Sequence, residues 1–146
     1  MHSIDIHKSI YIRKLLTYIV FLLSFFIILA PGFLFYHYHT KARLTLMDAK
    51  NIQLAMRVLS IQYYGKDRNV YVSGSEYGMA EDTIEEIKRL AGVEGDITLV
   101  SWNLADNVPG KFFYQTEQFL VIYEFEPLQK ELMWNVYYVH PLMKLD

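Results

Sequence analysis

Residues 15–40 contain no Asp, Glu, Lys or Arg, and the stretch 15–35 is almost wholly apolar, from Leu15, Leu16 and Ile19 through Phe25, Phe26 and Ile27 to Phe35. A helix needs about 20 apolar residues to cross the hydrocarbon core of a bilayer. The run exceeds that length. A helix that is apolar all round must be sheathed by protein or by lipid, and a chain of 146 residues has too little left over to sheathe one. A single membrane span over residues 15–40 is therefore expected, after a short basic tail of residues 1–14. The run is too long for a signal peptide, and no small-x-small cleavage site follows it. Pro31 and Gly32 predict a kink or local unwinding inside the span.

Tyr36, His37, Tyr38 and His39 close the apolar run and predict a membrane interface, where amphipathic rings settle at headgroup depth. Charge does not orient the span. Lys8, Arg13 and Lys14 flank one end and Lys41, Arg43 and Lys50 the other, a tie on the rule that basic residues stay inside. A short basic tail ahead of an anchor favours a cytoplasmic N-terminus, which leaves residues 41–146 as an extracytoplasmic α+β domain.

Residues 41–64 lack Gly and Pro and predict a helix that ends at Gly65. Ile52, Ala55, Met56, Leu59 and Tyr63 fall at i, i+3, i+4, i+7 and i+11, one apolar stripe suited to packing on a sheet. Leu44, Met47, Leu54, Val58 and Ile61 widen that face. Continued from the span, residues 15–64 would make a rod of about 75 Å at 1.5 Å per residue. The Gly-rich segment 65–79 reads as a loop around a short extended piece, 70–72. A second helix follows, with Glu81, Asp82, Glu85 and Glu86 at its start, Lys88 and Arg89 in its last turn, Gly92 as C-cap, and Ile84, Ile87, Leu90 and Ala91 as its apolar side. Residues 97–102, 118–125 and 133–139 carry the alternation and β-branched content of strands. Asp106, Asn107, Pro109 and Gly110 mark one connection and residues 127–130 the next. Both are too short for helical crossovers, so a small antiparallel sheet of three to four strands is expected.

Chemistry is sparsely encoded. The 14 Lys and Arg against 16 Asp and Glu form no basic cluster, which excludes a general nucleic-acid binder. The chain has no Cys, so thiolate nucleophiles and Cys-ligated metals are excluded. His37 and His39 diverge by about 200° on a helix and cannot chelate one ion. Outside the interface only His140 could serve a hydrolytic triad, and its position beside the last strand favours a structural role. No phosphate-binding loop or common metal-binding motif occurs. Asp106, Asn107 and the carbonyls near Gly110 could donate to Ca²⁺, but a calcium site needs six to eight oxygens, and a plain turn is the expectation. Tyr63, Tyr64, Tyr71, Tyr77, Tyr114, Tyr123, Tyr137 and Tyr138 with Trp102 and Trp134 make the domain aromatic-rich; alternating strands turn half of them into core and leave an aromatic ligand platform as the rarer use. No cofactor is expected.

An apolar helix running into an amphipathic one, then a Gly-rich loop, a short helix and a small antiparallel sheet, is the order of elements in type IV pilins and pseudopilins. The stretch DAKNIQLAMRVLSIQYYG, residues 48–65, resembles the second half of a pilin spine helix, and Pro31 resembles the proline such spines carry. The resemblance implies a non-enzymatic subunit of a cell-envelope pilus or type II secretion assembly, with the bilayer and other pilin-like or secretion-system subunits as partners. The chain departs from the family pattern in having no Gly before Gly32 and no acid in the apolar run. It is therefore expected to keep its N-terminus uncleaved and to lack the glutamate-to-amine pairing between subunits. A membrane-tethered ligand-binding or sensory domain that does not assemble is the alternative.

Overall fold

The computed structural model describes residues 3–66 and 68–139, with side chains from residue 11 onward. Two compact units make up the chain, Met1–Thr40 and Lys41–Asp146. One element belongs to both: helix α1, Ser3–Tyr63. It passes Pro31 and Gly32 in helical conformation, so the local unwinding expected there does not occur. A proline costs a helix one backbone hydrogen bond and crowds the preceding turn.

The second unit is α+β, with residues 41–63 of α1 packed on a four-stranded antiparallel sheet. Helix α2, Glu81–Ala91, comes next, and then β1, Asp96–Asn103; β2, Val108–Gln115; β3, Phe119–Glu126; and β4, Glu131–Tyr138. The strands lie in sequence order, each antiparallel to its neighbour. Sequence reasoning identified three of these strands and missed β2. Pro109 and Gly110 read as part of a connection, yet both sit inside β2, where the register slips between Leu99 and Trp102. Such a bulge is where a sheet tolerates proline. Gly110 has its own reason, because a Cβ there would lie 2.7 Å from Ser101 Oγ. The connection itself is residues 104–107, closed by Asn107 at φ 52°. The piece expected to be extended at 70–72 is loop; Val70 is buried and the Val72 N–H donates to the Gly78 carbonyl at 2.9 Å.

The inward side chains alternate along the strands as the pleat requires. Ile97 and Leu99 from β1, Phe112 and Tyr114 from β2, and Phe119, Val121 and Tyr123 from β3 are all buried. Against them lie Ala49, Ile52, Ala55, Met56, Leu59 and Tyr63 of α1 and Ile87 of α2. The α2 helix ends as its charges and glycine require: Gly92 takes φ 69° and its N–H donates to the Lys88 carbonyl at 2.9 Å. Its apolar side is narrower than the sequence implied. Thr83, Ile84 and Ile87 are buried, whereas Leu90 is exposed.

Candidate functional site

Three parts of the chain bear on function. The first is the apolar half of α1. Among its described side chains, residues 11–40 are all exposed, including Phe21, Ile27, Ile28 and Phe35 at more than 70%. No described residue covers them, and α1 is long and apolar enough to cross a membrane. Tyr36, His37, Tyr38 and His39 follow on the same exposed surface. Their rings pair along the helix: Phe33 stacks on His37 at 6.5 Å, Phe35 lies 6.1 Å from His39, and His37 meets Tyr38 edge-on at 6.3 Å. These contacts form an aromatic collar at the end of the apolar run.

The second part is the packed face of α1. Ile52, Met56 and Leu59 are fully buried, and Ala55 and Tyr63 are 5% and 6% exposed. Two members of the stripe escaped the sequence reading. Ala49 and Thr45 continue it toward the N-terminus, both buried. Thr45 satisfies its hydroxyl by donating to the Lys41 carbonyl at 3.0 Å, and helical spacing from Ile52 could have found both. The residues expected to widen the face behave otherwise. Leu44, Met47, Leu54, Val58 and Ile61 are 38–71% exposed, because a single narrow sheet covers one side of a helix and reaches no farther round it.

Polar bonds seat the helix over the sheet. Gln53 Nε2 donates to the Tyr123 hydroxyl at 3.0 Å, and Lys41 Nζ to Gln118 Oε1 at 3.3 Å. Tyr123 stands in an aromatic cluster with Phe112 at 4.9 Å and Trp134 at 4.7 Å, and the Lys50 ammonium lies 6.0 Å from the Trp134 ring. Burial raises the Tyr123 and Tyr114 hydroxyls above the ordinary tyrosine range. Burial likewise raises the Asp48 carboxyl. Of the ten aromatics singled out in the sequence, Tyr63, Tyr114 and Tyr123 are core, Tyr71, Trp102 and Trp134 border it, and Tyr64, Tyr77, Tyr137 and Tyr138 are exposed.

The third part is an open groove of about 590 Å³ at the end of α1, lined in part by Tyr63, Tyr64, Arg68, Trp102 and Asn107. Five of its lining side chains, Ser60, Tyr63, Arg68, Trp102 and Asn107, bond to one another or to neighbouring parts of the fold. The Tyr63 hydroxyl donates to Glu86 Oε2 at 2.8 Å, and the Arg68 guanidinium lies 4.4 Å from the Tyr63 ring while pairing with Asp82. Trp102 Nε1 donates to Asn107 Oδ1 at 3.3 Å, and Asn107 Nδ2 donates to Ser60 Oγ at 3.2 Å. Asp106 Oδ2 accepts from Asn103 Nδ2 at 2.9 Å. The side-chain oxygens of Asp106 and Asn107 considered as calcium donors thus accept bonds within the β1–β2 turn, while the Asn107 amide nitrogen docks the turn on α1. Among the described residues no three His, Cys, Asp or Glu side chains gather as a metal cluster. His140 lies outside the described residues.

The Tyr63–Glu86 bond ties α1 to α2, and its loss is measurable. Tyr63→Phe is expected to destabilise the domain by about 1.5–3 kcal/mol, the usual worth of a hydrogen bond to a charged group. Thermal unfolding followed by tryptophan fluorescence checks it, since both tryptophans, Trp102 and Trp134, lie in this domain.

Comparison with protein-family models, curated proteins and solved structures finds no match to this chain.

Proposed function

We propose that the chain is a non-enzymatic, single-pass membrane protein that displays its α+β domain outside the cytoplasm as a pilin-like accessory subunit of a cell-envelope assembly. The observation that carries this reading is the division of labour along α1. Its first part has an exposed apolar surface of bilayer length, and its last part supplies the core residues Ile52, Met56 and Leu59. One helix thus serves as the anchor and as part of the core, in consecutive stretches. Spine helices of pilin-like subunits have the same economy, and the order of elements agrees with theirs. A structural role is further supported by the groove at the end of α1, where Tyr63, Arg68 and Asn107 bind neighbouring parts of the fold.

The uncleaved N-terminus belongs to the same reading. With no Gly ahead of the apolar run and no acid within it, the subunit would join an assembly by its domain and by lateral helix contacts. Intact-mass measurement of protein purified from membranes is expected to find a species beginning at Met1. A methylated terminus near residue 15 would restore the processed, shaft-forming alternative. Cross-linking in intact cells, followed by identification of attached proteins, tests the assembly role: envelope-assembly subunits are expected. Recovery of the chain without any protein partner would favour a tethered binding domain instead.

A further inference from the structure

The exposed stripe on α1 has a spacing that selects its occupant. Leu44, Met47, Asn51, Leu54, Val58 and Ile61 are separated by 3, 4, 3, 4 and 3 residues. That is the alternation of first and fourth positions in a heptad. All six are exposed, Leu54 at 60% and Ile61 at 71%. At 100° per residue the stripe is centred about 140° from the buried one, so α1 carries two apolar faces and the sheet covers only one. Contiguous exposed apolar surface of this kind marks an interaction site.

We propose that residues 44–61 form a parallel, in-register, two-stranded coiled coil with a second copy of this chain. Leu44, Asn51 and Val58 occupy the first core position and Met47, Leu54 and Ile61 the fourth. A second copy is singled out by the polar member of the seam. A lone Asn at a first position meets its own counterpart in a parallel dimer and specifies register and strand number. Opposite an unrelated apolar helix it would be left unpaired. β-branched Val58 at a first position and Leu54 at a fourth also suit two strands.

Charge agrees with that register. In a parallel pair the residue before one heptad faces the fifth residue of that heptad on the other helix, which sets Arg43 against Asp48 of the second copy, twice by symmetry. Neither residue has an ion pair within the chain among the described residues. Burial disfavours the Asp48 carboxylate, and a guanidinium from the second copy would offset that. The other flanking cations, Lys50 and Arg57, face Ala55 and Gln62, so no like charges meet.

The seam is two and a half heptads long, less than the three to four that mark a free-standing coiled coil. Here the step rests on the membrane anchoring proposed above. Copies anchored in one bilayer point the same way and meet at a raised effective concentration. The drift of about 20° per heptad between the seam and a straight helix is taken up by a left-handed supercoil.

The chain contains no Cys, so single cysteines report contacts against a blank background. In the full chain in its membranes, Met47→Cys, Leu54→Cys and Ile61→Cys are each expected to give a disulfide-linked homodimer on addition of copper phenanthroline. Leu104→Cys and Leu128→Cys, at loop sites 86% and 92% exposed, are expected to remain monomeric. Adding Leu54→Asp to the Ile61→Cys chain is expected to abolish the linked dimer while leaving tryptophan fluorescence unchanged. Equal linkage at seam and loop positions, or none at the seam, would overturn the proposal. Alkaline extraction of the same membranes tests the anchoring separately: a chain released to the soluble fraction defeats the anchor, and same-position disulfides formed by that released chain would still support the register.

Discussion

Leu59→Asp is expected to unfold the extramembrane domain. Leu59 is fully buried between α1 and the sheet, in one cluster with Met56, Phe112 and Tyr123. Among the described residues no cation is buried, so a carboxylate there would be desolvated without a partner. Such a change costs about 4 kcal/mol or more, against a total stability of about 5–15 kcal/mol for a domain of this size. The measurement is tryptophan fluorescence of the full chain in detergent micelles, where a red shift and loss of the thermal transition report exposure of Trp134. Leu54→Asp is the control, five residues away on the exposed face, and is expected to melt like the parent. Matching transitions for Leu59→Asp and the parent would show that the stripe is not the core.

Gly78→Ala is the second large effect. Gly78 has φ 69°, and a Cβ added to it would lie 1.7 Å from the Leu99 carbonyl oxygen. Backbone bonds fix that approach from both sides. The Leu99 N–H donates to the Tyr77 carbonyl at 2.9 Å, and the Gly78 carbonyl accepts from Val72 at 2.9 Å. An alanine must take up a left-handed conformation, worth about 1–2 kcal/mol, and also push the loop off β1. A loss above about 2 kcal/mol is expected, with the 72–78 loop opened to protease. Gly74 separates the two causes, since its φ of 88° faces open space. Gly74→Ala should cost only the conformational part, and an equal loss for both variants would mean that the close approach to Leu99 contributes nothing.

Much of this fold is legible in the sequence where one physical cause dominates. The apolar run, the i, i+3, i+4 stripe from Ile52 to Tyr63, and the charges and Gly92 of α2 each have a single source and a single consequence. The β3–β4 connection at 127–130 is similar: Lys130 takes φ 52° and the strands end beside it. β2 was obscured because Pro109 and Gly110 carry the signature of a loop, and only the bulge opposite Ser101 reconciles them with a strand. The two faces of α1 were merged for a different reason. Hydrophobicity says that Leu54 and Ile61 seek cover, but not whether the sheet reaches them. The width of a four-stranded sheet decides that, and it appears only in three dimensions. The groove at the end of α1 was invisible for the same cause, since Tyr63, Arg68 and Asn107 come from three separate segments.

Whether the domain stands outside the cytoplasm is decided most directly by a cysteine at Leu128, in the exposed turn between β3 and β4. Leu128→Cys should leave the fold intact, because the side chain it replaces makes no part of the core. A membrane-impermeant maleimide added to intact spheroplasts is expected to label this residue fully, with no further labelling after lysis. Labelling that appears only once the membrane is broken would place the domain in the cytoplasm and contradict an exported, pilin-like subunit.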